Sequence, residues 1–85
     1  MRVVFKYPIL GDSVVLHLPA GATFIYVDYQ SGQLCLWAWV DVDAPYEERH
    51  IETYMTGEPM DTDDRTYIGT ATHNGYVTHT FEKDQ

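Results

Sequence analysis

Cysteine and basic residues are scarce in this chain of 85 residues, and each shortage excludes a class of protein. Cys35 is the single cysteine, so an intramolecular disulfide cannot form and the cysteine content gives no sign of an oxidising compartment. Five Lys and Arg residues are outnumbered by thirteen Asp and Glu residues, which leaves a net charge of -8. Because phosphate groups are bound by clustered Lys and Arg, this balance disfavours direct binding to nucleic acid or to an anionic membrane.

Long apolar runs, helical periodicity and catalytic signatures are also missing. No stretch is apolar for long enough to form a signal peptide or a membrane span, so we expect a soluble intracellular protein. There is no glycine-rich phosphate loop, and the only serines, Ser13 and Ser31, have no recognisable base and acid to activate them. We therefore expect no catalytic residues, no enzymatic activity and no cofactor.

Metal-ligating residue types are present, but not at the spacing of a metal site. No pair has the close spacing of zinc ligands among the four histidines, which are His17, His50, His73 and His79. The acidic run at residues 61–64 lacks the glycine and the closing glutamate of a calcium loop. Cys35 lies between Leu34 and Leu36 and is expected to be a buried thiol. The sequence therefore predicts no metal ligands.

Apolar residues are abundant enough to build one compact core. They make up 45% of the chain, with 14% aromatic residues, which argues against disorder despite the charge. A chain of this length is short for a domain, so we expect a single domain over residues 1–85 that gains stability by self-association.

Runs of β-branched and aromatic residues alternate with turn residues at the spacing of an all-β protein. The predicted strands cover residues 2–7, 13–18, 23–30, 33–40, 49–56, 65–73 and 75–81. They indicate a small antiparallel β-sandwich or partly open barrel with mostly meander connections. The acidic segments 41–48 and 57–64 are predicted as loops that have room for a turn of helix.

The segment 23–40 is predicted to form one hairpin with two different apolar faces. A two-residue turn at Ser31-Gly32 fixes its register. One face then holds the pairs Tyr29 and Leu34, Val27 and Leu36, Ile25 and Ala38, Thr23 and Val40. The other face holds the pairs Asp28 and Cys35, Tyr26 and Trp37, Phe24 and Trp39.

A chain of this size can cover one of these faces with its own core, so the aromatic face needs a second cover. Three covers stay open: a second sheet of the same chain, a second copy of the protein, or a planar ligand stacked between the rings. Because tryptophan and tyrosine dominate binding energies at protein interfaces, the candidate binding residues are Phe24, Tyr26, Trp37 and Trp39.

A second hairpin is predicted around Asn74-Gly75, whose residues tolerate the positive φ of a type I′ turn. Six residues are expected to face the core in three pairs, which are Thr72 and Val77, Thr70 and His79, Ile68 and Phe81.

Several short motifs resemble a family of small proteins of unknown function that phages and prophages encode. They cover nearly the whole chain and lie at residues 6–8, 18–22, 36–38, 42–45, 67–70 and 79–81, with Thr56-Gly57 before the second long loop. Each motif is a strand or a turn and none is a catalytic signature. The resemblance implies a viral accessory protein in the cytoplasm of a bacterial host, and it supplies no site residues.

Two mechanisms follow for such an accessory protein. In the first, an acidic homo-oligomer binds a host immune protein, such as a CRISPR effector or another nuclease, at its basic nucleic-acid site. In the second, an aromatic pocket sequesters a nucleotide signal, for which Arg49 and Arg65 would bind the phosphates because each is expected where a long loop meets a strand. The first is favoured because basic residues are few. A structural or assembly role in the phage is the third reading.

Overall fold

The computed structural model describes residues 1–84 and consists of seven β-strands, which confirms the predicted all-β fold. The strands are β1 (Arg2–Pro8), β2 (Ser13–Pro19), β3 (Thr23–Gln30), β4 (Gln33–Asp41), β5 (Tyr46–Met55), β6 (Arg65–His73) and β7 (Tyr76–Lys83). They form a sandwich of two sheets and no closed barrel. Within residues 1–84 there is no helix, and so none that is long and apolar enough to span a bilayer.

The two sheets are antiparallel throughout. The three-stranded sheet has the order β1-β4-β3, and the four-stranded sheet has the order β2-β5-β7-β6. Only the pairs β3–β4 and β6–β7 are consecutive in sequence, so the connections are less meander-like than the sequence predicts. The physical reason is that each sheet has one apolar face. When the strands are distributed between two stacked sheets, each sheet covers the apolar face of the other.

The core lies between the sheets and consists mainly of aliphatic side chains. Leu36 and Val40 on β4 are fully buried against Leu18 on β2 and Ile51 on β5. Burying one such side chain stabilises a fold by about 1.5–3 kcal/mol. The even-numbered residues of β4 therefore fix which face of the three-stranded sheet points inward.

The first hairpin has the predicted turn and most of the predicted register. Ser31 and Gly32 have φ values of 51° and 79°, and four of the predicted pairs form, from Tyr29 opposite Leu34 to Tyr26 opposite Trp37. A register shift between Phe24 and Tyr26 changes the rest.

Ile25 is the extra residue of this β-bulge, so Phe24 lies opposite Ala38 and Thr23 lies opposite Trp39. The predicted pairs of Phe24 with Trp39, of Ile25 with Ala38 and of Thr23 with Val40 are therefore wrong. The bulge turns the Phe24 ring inward, where it packs against the core, and leaves Ile25 exposed.

The second hairpin has the predicted turn, but the face that is buried is opposite to the predicted one. Asn74 and Gly75 have positive φ, and Thr70 and Thr72 have the predicted partners. Both threonines are nevertheless exposed, so the prediction that they face the core is wrong, whereas Ile68 packs against the core as predicted. The residues buried in their place are Ala71, Thr78 and Thr80.

The close approach of β3 and β6 explains this inversion. A β-carbon added at Gly69 would lie 2.5 Å from Val27 Cγ1, so the two sheets leave no room for a side chain at this position. A second register shift, between Tyr67 and Gly69, sets Tyr67 opposite Phe81, where Ile68 was predicted.

The predicted loop over residues 41–48 is shorter than expected and contains no helix. Asp41 ends β4, and β5 begins at Tyr46, so Glu47 and Glu48 pair with β2. Their carboxylates have cationic or hydrogen-bonding partners, since Glu47 accepts from the Gly21 backbone N–H at 3.0 Å and Glu48 lies 3.4 Å from His17. Acidic residues are thus tolerated in β5, although it is an interior strand of its sheet.

Candidate functional site

Three aromatic side chains share the outer face of the three-stranded sheet. Tyr26 on β3 lies opposite Trp37 on β4 with ring centroids 5.5 Å apart and planes at 50°, and Trp39 follows two residues later on the same side. Tyr26 is 55% exposed and Trp39 is 48% exposed, while Trp37 is half-buried. We call this surface of Tyr26, Trp37 and Trp39 the aromatic face. Within residues 1–84 the four-stranded sheet packs on the opposite side, so it does not cover these rings.

Cationic side chains border the aromatic face along β1. The Arg2 guanidinium lies 5.2 Å from the centre of the Trp39 ring, a cation–π contact. Lys6 lies directly opposite Trp37 and donates a hydrogen bond across the sheet to Gln30. Between them Val4 is 53% exposed opposite Trp39.

A carboxylate borders the same face along β3. The Tyr26 hydroxyl donates to Asp28 Oδ2 at 2.8 Å. This hydrogen bond, together with the negative charge of Asp28, raises the pKa of Tyr26 above its usual value. The aromatic face thus has cations at one margin, a carboxylate at the other and indole rings between them.

Phe24 does not belong to the aromatic face, although the sequence predicts it there. Its ring packs beneath the Arg49 guanidinium, with 4.5 Å between the carbon of that group and the ring centre. The signal that separates Phe24 from Tyr26 is the bulge at Ile25, and alternation of residue types alone does not reveal it.

Arg49 lies on the inner side of β5 and forms ion pairs with carboxylates. It makes two hydrogen bonds to Glu82 and a third to the carbonyl oxygen of Ala22, at 2.8 Å, while Glu47 lies 3.6 Å away. The hydrogen bonds to Glu82 raise the pKa of Arg49 although its burial acts in the other direction. Arg49 is the fourth residue of β5, so the prediction that it joins a loop to a strand is wrong.

Arg65 lies on the outer side of the same sheet and has its own carboxylate. Its Nε donates to Glu52 Oε1 at 2.9 Å, and the Tyr54 hydroxyl donates to the same oxygen at 2.8 Å. Burial favours the neutral acid, but the hydrogen bonds from Arg65 and Tyr54 outweigh it and lower the pKa of Glu52. Arg49 and Arg65 are thus on opposite faces of one sheet and do not form a common phosphate site.

The two bulges open a cleft of about 280 Å³ between β3 and β6. Phe24 and Ile68 line it together with the Arg49–Glu82 ion pair. Since the guanidinium there is already neutralised by Glu82, the cleft offers a phosphate group little free positive charge.

Comparison with known proteins places the chain in one family. A family model described as a domain of unknown function, DUF7352, matches residues 1–85. The chain belongs to this family. No curated protein and no solved structure is significantly similar to it. The family description names neither an activity nor a viral origin, so both remain matters for proposal.

A second aromatic cluster, which the sequence does not reveal, lies on the outer face of the four-stranded sheet in this family member. The Phe81 ring meets Tyr67 at 5.5 Å and Tyr54 at 6.0 Å between centroids, both in edge-on geometry. His79 beside it bridges Thr70 and Thr56, with 3.0 Å from Nδ1 and 2.8 Å from Nε2 to the hydroxyl oxygens. The inverted second hairpin brings these residues outward. The sequence gives no local signal of the inversion, because the inversion depends on tight packing at Gly69.

The remaining candidate ligands do not assemble. Within residues 1–84 no group of three or more His, Cys, Asp or Glu residues has the geometry to hold a metal ion. Cys35 is buried, as predicted, and its thiol donates to the Gln33 carbonyl oxygen at 3.4 Å.

Proposed function

We propose that this protein is a non-catalytic phage accessory protein that acts in the cytoplasm of a bacterial host. In this proposal it self-associates and binds a host immune protein, such as a CRISPR effector or another nuclease, and so inhibits host defence. The observation that carries the proposal is the aromatic face, which the monomer leaves exposed although it is rich in the residue types that dominate interface energetics.

Charge supports a second copy of the chain as the occupant of the aromatic face. Two molecules that each carry a charge of -8 repel each other. The repulsion is smallest between surfaces that carry Lys and Arg side chains. Arg2 and Lys6 lie at this face, whereas Arg49 and Arg65 are paired with glutamates elsewhere. A twofold axis parallel to the strands would set β1 of one copy against β3 of the other, and so bring Lys6 towards Asp28 of its twin.

The acidic surface remains available for the host protein in such an assembly. Exposed carboxylates crowd the segment after β5, and the chain end is bound to it by a hydrogen bond of 2.7 Å from the Asp84 N–H to the Asp64 carbonyl. The exposed acidic residues there are Glu58, Asp61, Asp63, Asp64 and Asp84. A basic nucleic-acid site would attract this end of the molecule through charge complementarity.

Capture from a bacterial lysate followed by calorimetry with the purified captured protein tests the proposal. We expect a nuclease or effector to bind and to lose its nucleic-acid cleavage activity. A variant with Asp61→Asn, Asp63→Asn and Asp64→Asn should bind more weakly, with a reduced dependence on salt. The matched control neutralises three exposed carboxylates elsewhere, with Asp12→Asn, Asp43→Asn and Glu48→Gln, and should bind nearly as well as the wild type.

Calorimetry against a panel of cyclic nucleotides tests the competing mechanism. The proposal predicts no heat of binding, because Arg49 and Arg65 are neutralised and separated. Heat with a nucleotide and no binding of any captured nuclease or effector would replace the proposal with nucleotide sequestration.

A further inference from the structure

β1 is an open edge of the three-stranded sheet. Among residues 1–84 its backbone pairs with β4 alone, in one unbroken register from Arg2 opposite Asp41 to Pro8 opposite Cys35. β3, at the other edge, is bulged at Ile25 and packs against β6. A long regular edge is the kind of strand on which another extended chain can add.

The strand register and two backbone hydrogen bonds show which backbone groups of β1 are open. The Ile9 N–H donates to the backbone carbonyl of Leu34 at 2.9 Å, and the Val42 N–H donates to the backbone carbonyl of Met1 at 3.1 Å. Hydrogen-bonded and non-hydrogen-bonded pairs alternate in an antiparallel ladder, so the odd-numbered residues of β1 bond to β4. The N–H and C=O groups of Arg2, Val4 and Lys6 therefore point to the open edge. Pro8 has the same phase, and its missing N–H falls on the side where no ladder bond is lost.

The side chains beside these open groups have a distinct pattern of charge. Arg2, Val4 and Lys6 all lie on the outer side of the sheet and are exposed, so an added strand would meet a cation, an apolar residue and a second cation. Lys6 uses one of its three ammonium donors on Gln30, which leaves two for a partner. Opposite charges directly across two strands are favourable, and like charges are not.

We propose that β1 binds an extended acidic segment of another protein by antiparallel strand addition, with acidic, apolar and acidic side chains opposite Lys6, Val4 and Arg2. The bound segment becomes a fourth strand of the sheet and widens the aromatic face. This site uses the edge of the sheet and does not depend on the function proposed above.

The same charge pattern disfavours a second copy at this edge. An antiparallel register centred on Val4 sets Arg2 of one copy directly opposite Lys6 of the other. The register centred on Phe5, which pairs all of β1 with its twin, sets the two Lys6 side chains at diagonal positions. β2 is also an edge strand. Backbone hydrogen bonds join Thr53 to Asp12 and Ala20 to Pro45, so the backbone groups of the odd-numbered residues of β2 point to the open edge. Its open positions carry Ser13, Val15 and His17, which lack the paired cations, so β2 is an internal comparison for β1.

Fluorescence polarisation with a labelled peptide of sequence Thr-Glu-Thr-Val-Thr-Glu-Thr tests the proposal. We expect saturable binding that weakens as salt rises, and no binding of the peptide in which lysine replaces both glutamates. The variant with Arg2→Glu and Lys6→Glu should reverse this preference, while Lys83→Glu, on the other sheet, should leave it unchanged. Binding should also persist in the variant with Trp37→Ala and Trp39→Ala, which separates this site from the aromatic face.

N-methylation of the peptide separates strand addition from simple attraction of charges. A methyl group on the nitrogen of the central valine removes a bond to Val4 and should weaken binding about tenfold or more. A methyl group on the nitrogen of the following threonine points away from β1 and should have little effect. Equal effects of the two methyl groups would overturn the proposal.

Amide hydrogen exchange supplies a second measurement that needs no variant. In the free protein the amides of Val4 and Lys6 should exchange much faster than those of Val3 and Phe5, and the peptide should slow the former pair. Peptide binding that leaves Val4 and Lys6 unprotected would overturn strand addition. Protection that grows with protein concentration in the absence of peptide would instead assign the edge to a second copy.

Discussion

Among the glycines, Gly69 is the one at which the packing of the two sheets limits side-chain size most sharply. A β-carbon there would lie 2.5 Å from Val27 Cγ1, so we expect Gly69→Ala to destabilise the protein by about 1–3 kcal/mol, the usual cost of overpacking. Urea denaturation measures the change in the free energy of unfolding. Gly11→Ala is the matched control, because its nearest heavy atom would be 3.8 Å away. If Val27→Ala does not reduce the cost of Gly69→Ala, the overlap is not its cause.

The ionisation of Glu52 makes the stability of the protein depend on pH. Although burial opposes ionisation, hydrogen bonds from Arg65 and Tyr54 lower the pKa of Glu52 in the folded protein below its unfolded value of about 4.3. The ionised carboxylate therefore contributes stability that is present above that value and is lost as the pH falls through the folded pKa. Glu52→Gln should destabilise the protein at pH 7, and the difference from the wild type should shrink towards about pH 3. Urea denaturation at both pH values checks this, with the exposed Asp84→Asn as the control variant.

At the scale of the element, the bulge in β3 decides which aromatic residue is core and which is surface. Deletion of Ile25 should remove the extra residue and leave Phe24 inward and Tyr26 outward, because their partners on β4 stay the same. We expect the free energy of unfolding to change by about 1 kcal/mol or less, since Ile25 is half exposed. Deletion of Asp28 shifts every preceding residue of β3 to the other face and should prevent folding. Urea denaturation and tryptophan fluorescence distinguish the two, and equal losses would contradict the assigned bulge.

The prediction of the elements from sequence succeeds where turn residues determine the geometry. Ser31-Gly32 and Asn74-Gly75 need positive φ, and these turns fix the register of the nearest pairs in both hairpins. Beyond the first few pairs the predictions fail, because both bulges occur where β3 packs against β6. Such irregularities depend on the neighbouring sheet, which has no signal in the local pattern of residues.

At the scale of the whole molecule, the sandwich formed by residues 1–84 leaves the aromatic face uncovered. If a second copy supplies the cover, the variant with Trp37→Ala and Trp39→Ala should dissociate to the monomer while its strand content is retained. The expected loss of affinity is roughly 30-fold or more, as for interface tryptophans that contribute about 2 kcal/mol. Sedimentation velocity and circular dichroism measure the two properties.

The matched control for this variant combines Tyr46→Ala and Tyr76→Ala, which remove two exposed aromatic rings away from the aromatic face. It should sediment as the wild type does. A wild-type protein that is monomeric at every concentration would contradict self-association, and unfolding of the tryptophan variant would place the indoles in the core of the monomer.

Local residue patterns are enough to predict the seven strands, the two tight turns and the alternation that puts Trp37 and Trp39 on one face of β4 and Leu36 and Val40 on the other. These features are local, because they follow from the period of a strand and the φ values that a turn demands. Only the packing of the two sheets fixes that Phe24 turns inward, that Thr78 and Thr80 are buried, and that the candidate arginines bind glutamates. Each of these depends on how closely one sheet approaches the other, and that distance is set by side chains far apart in the chain.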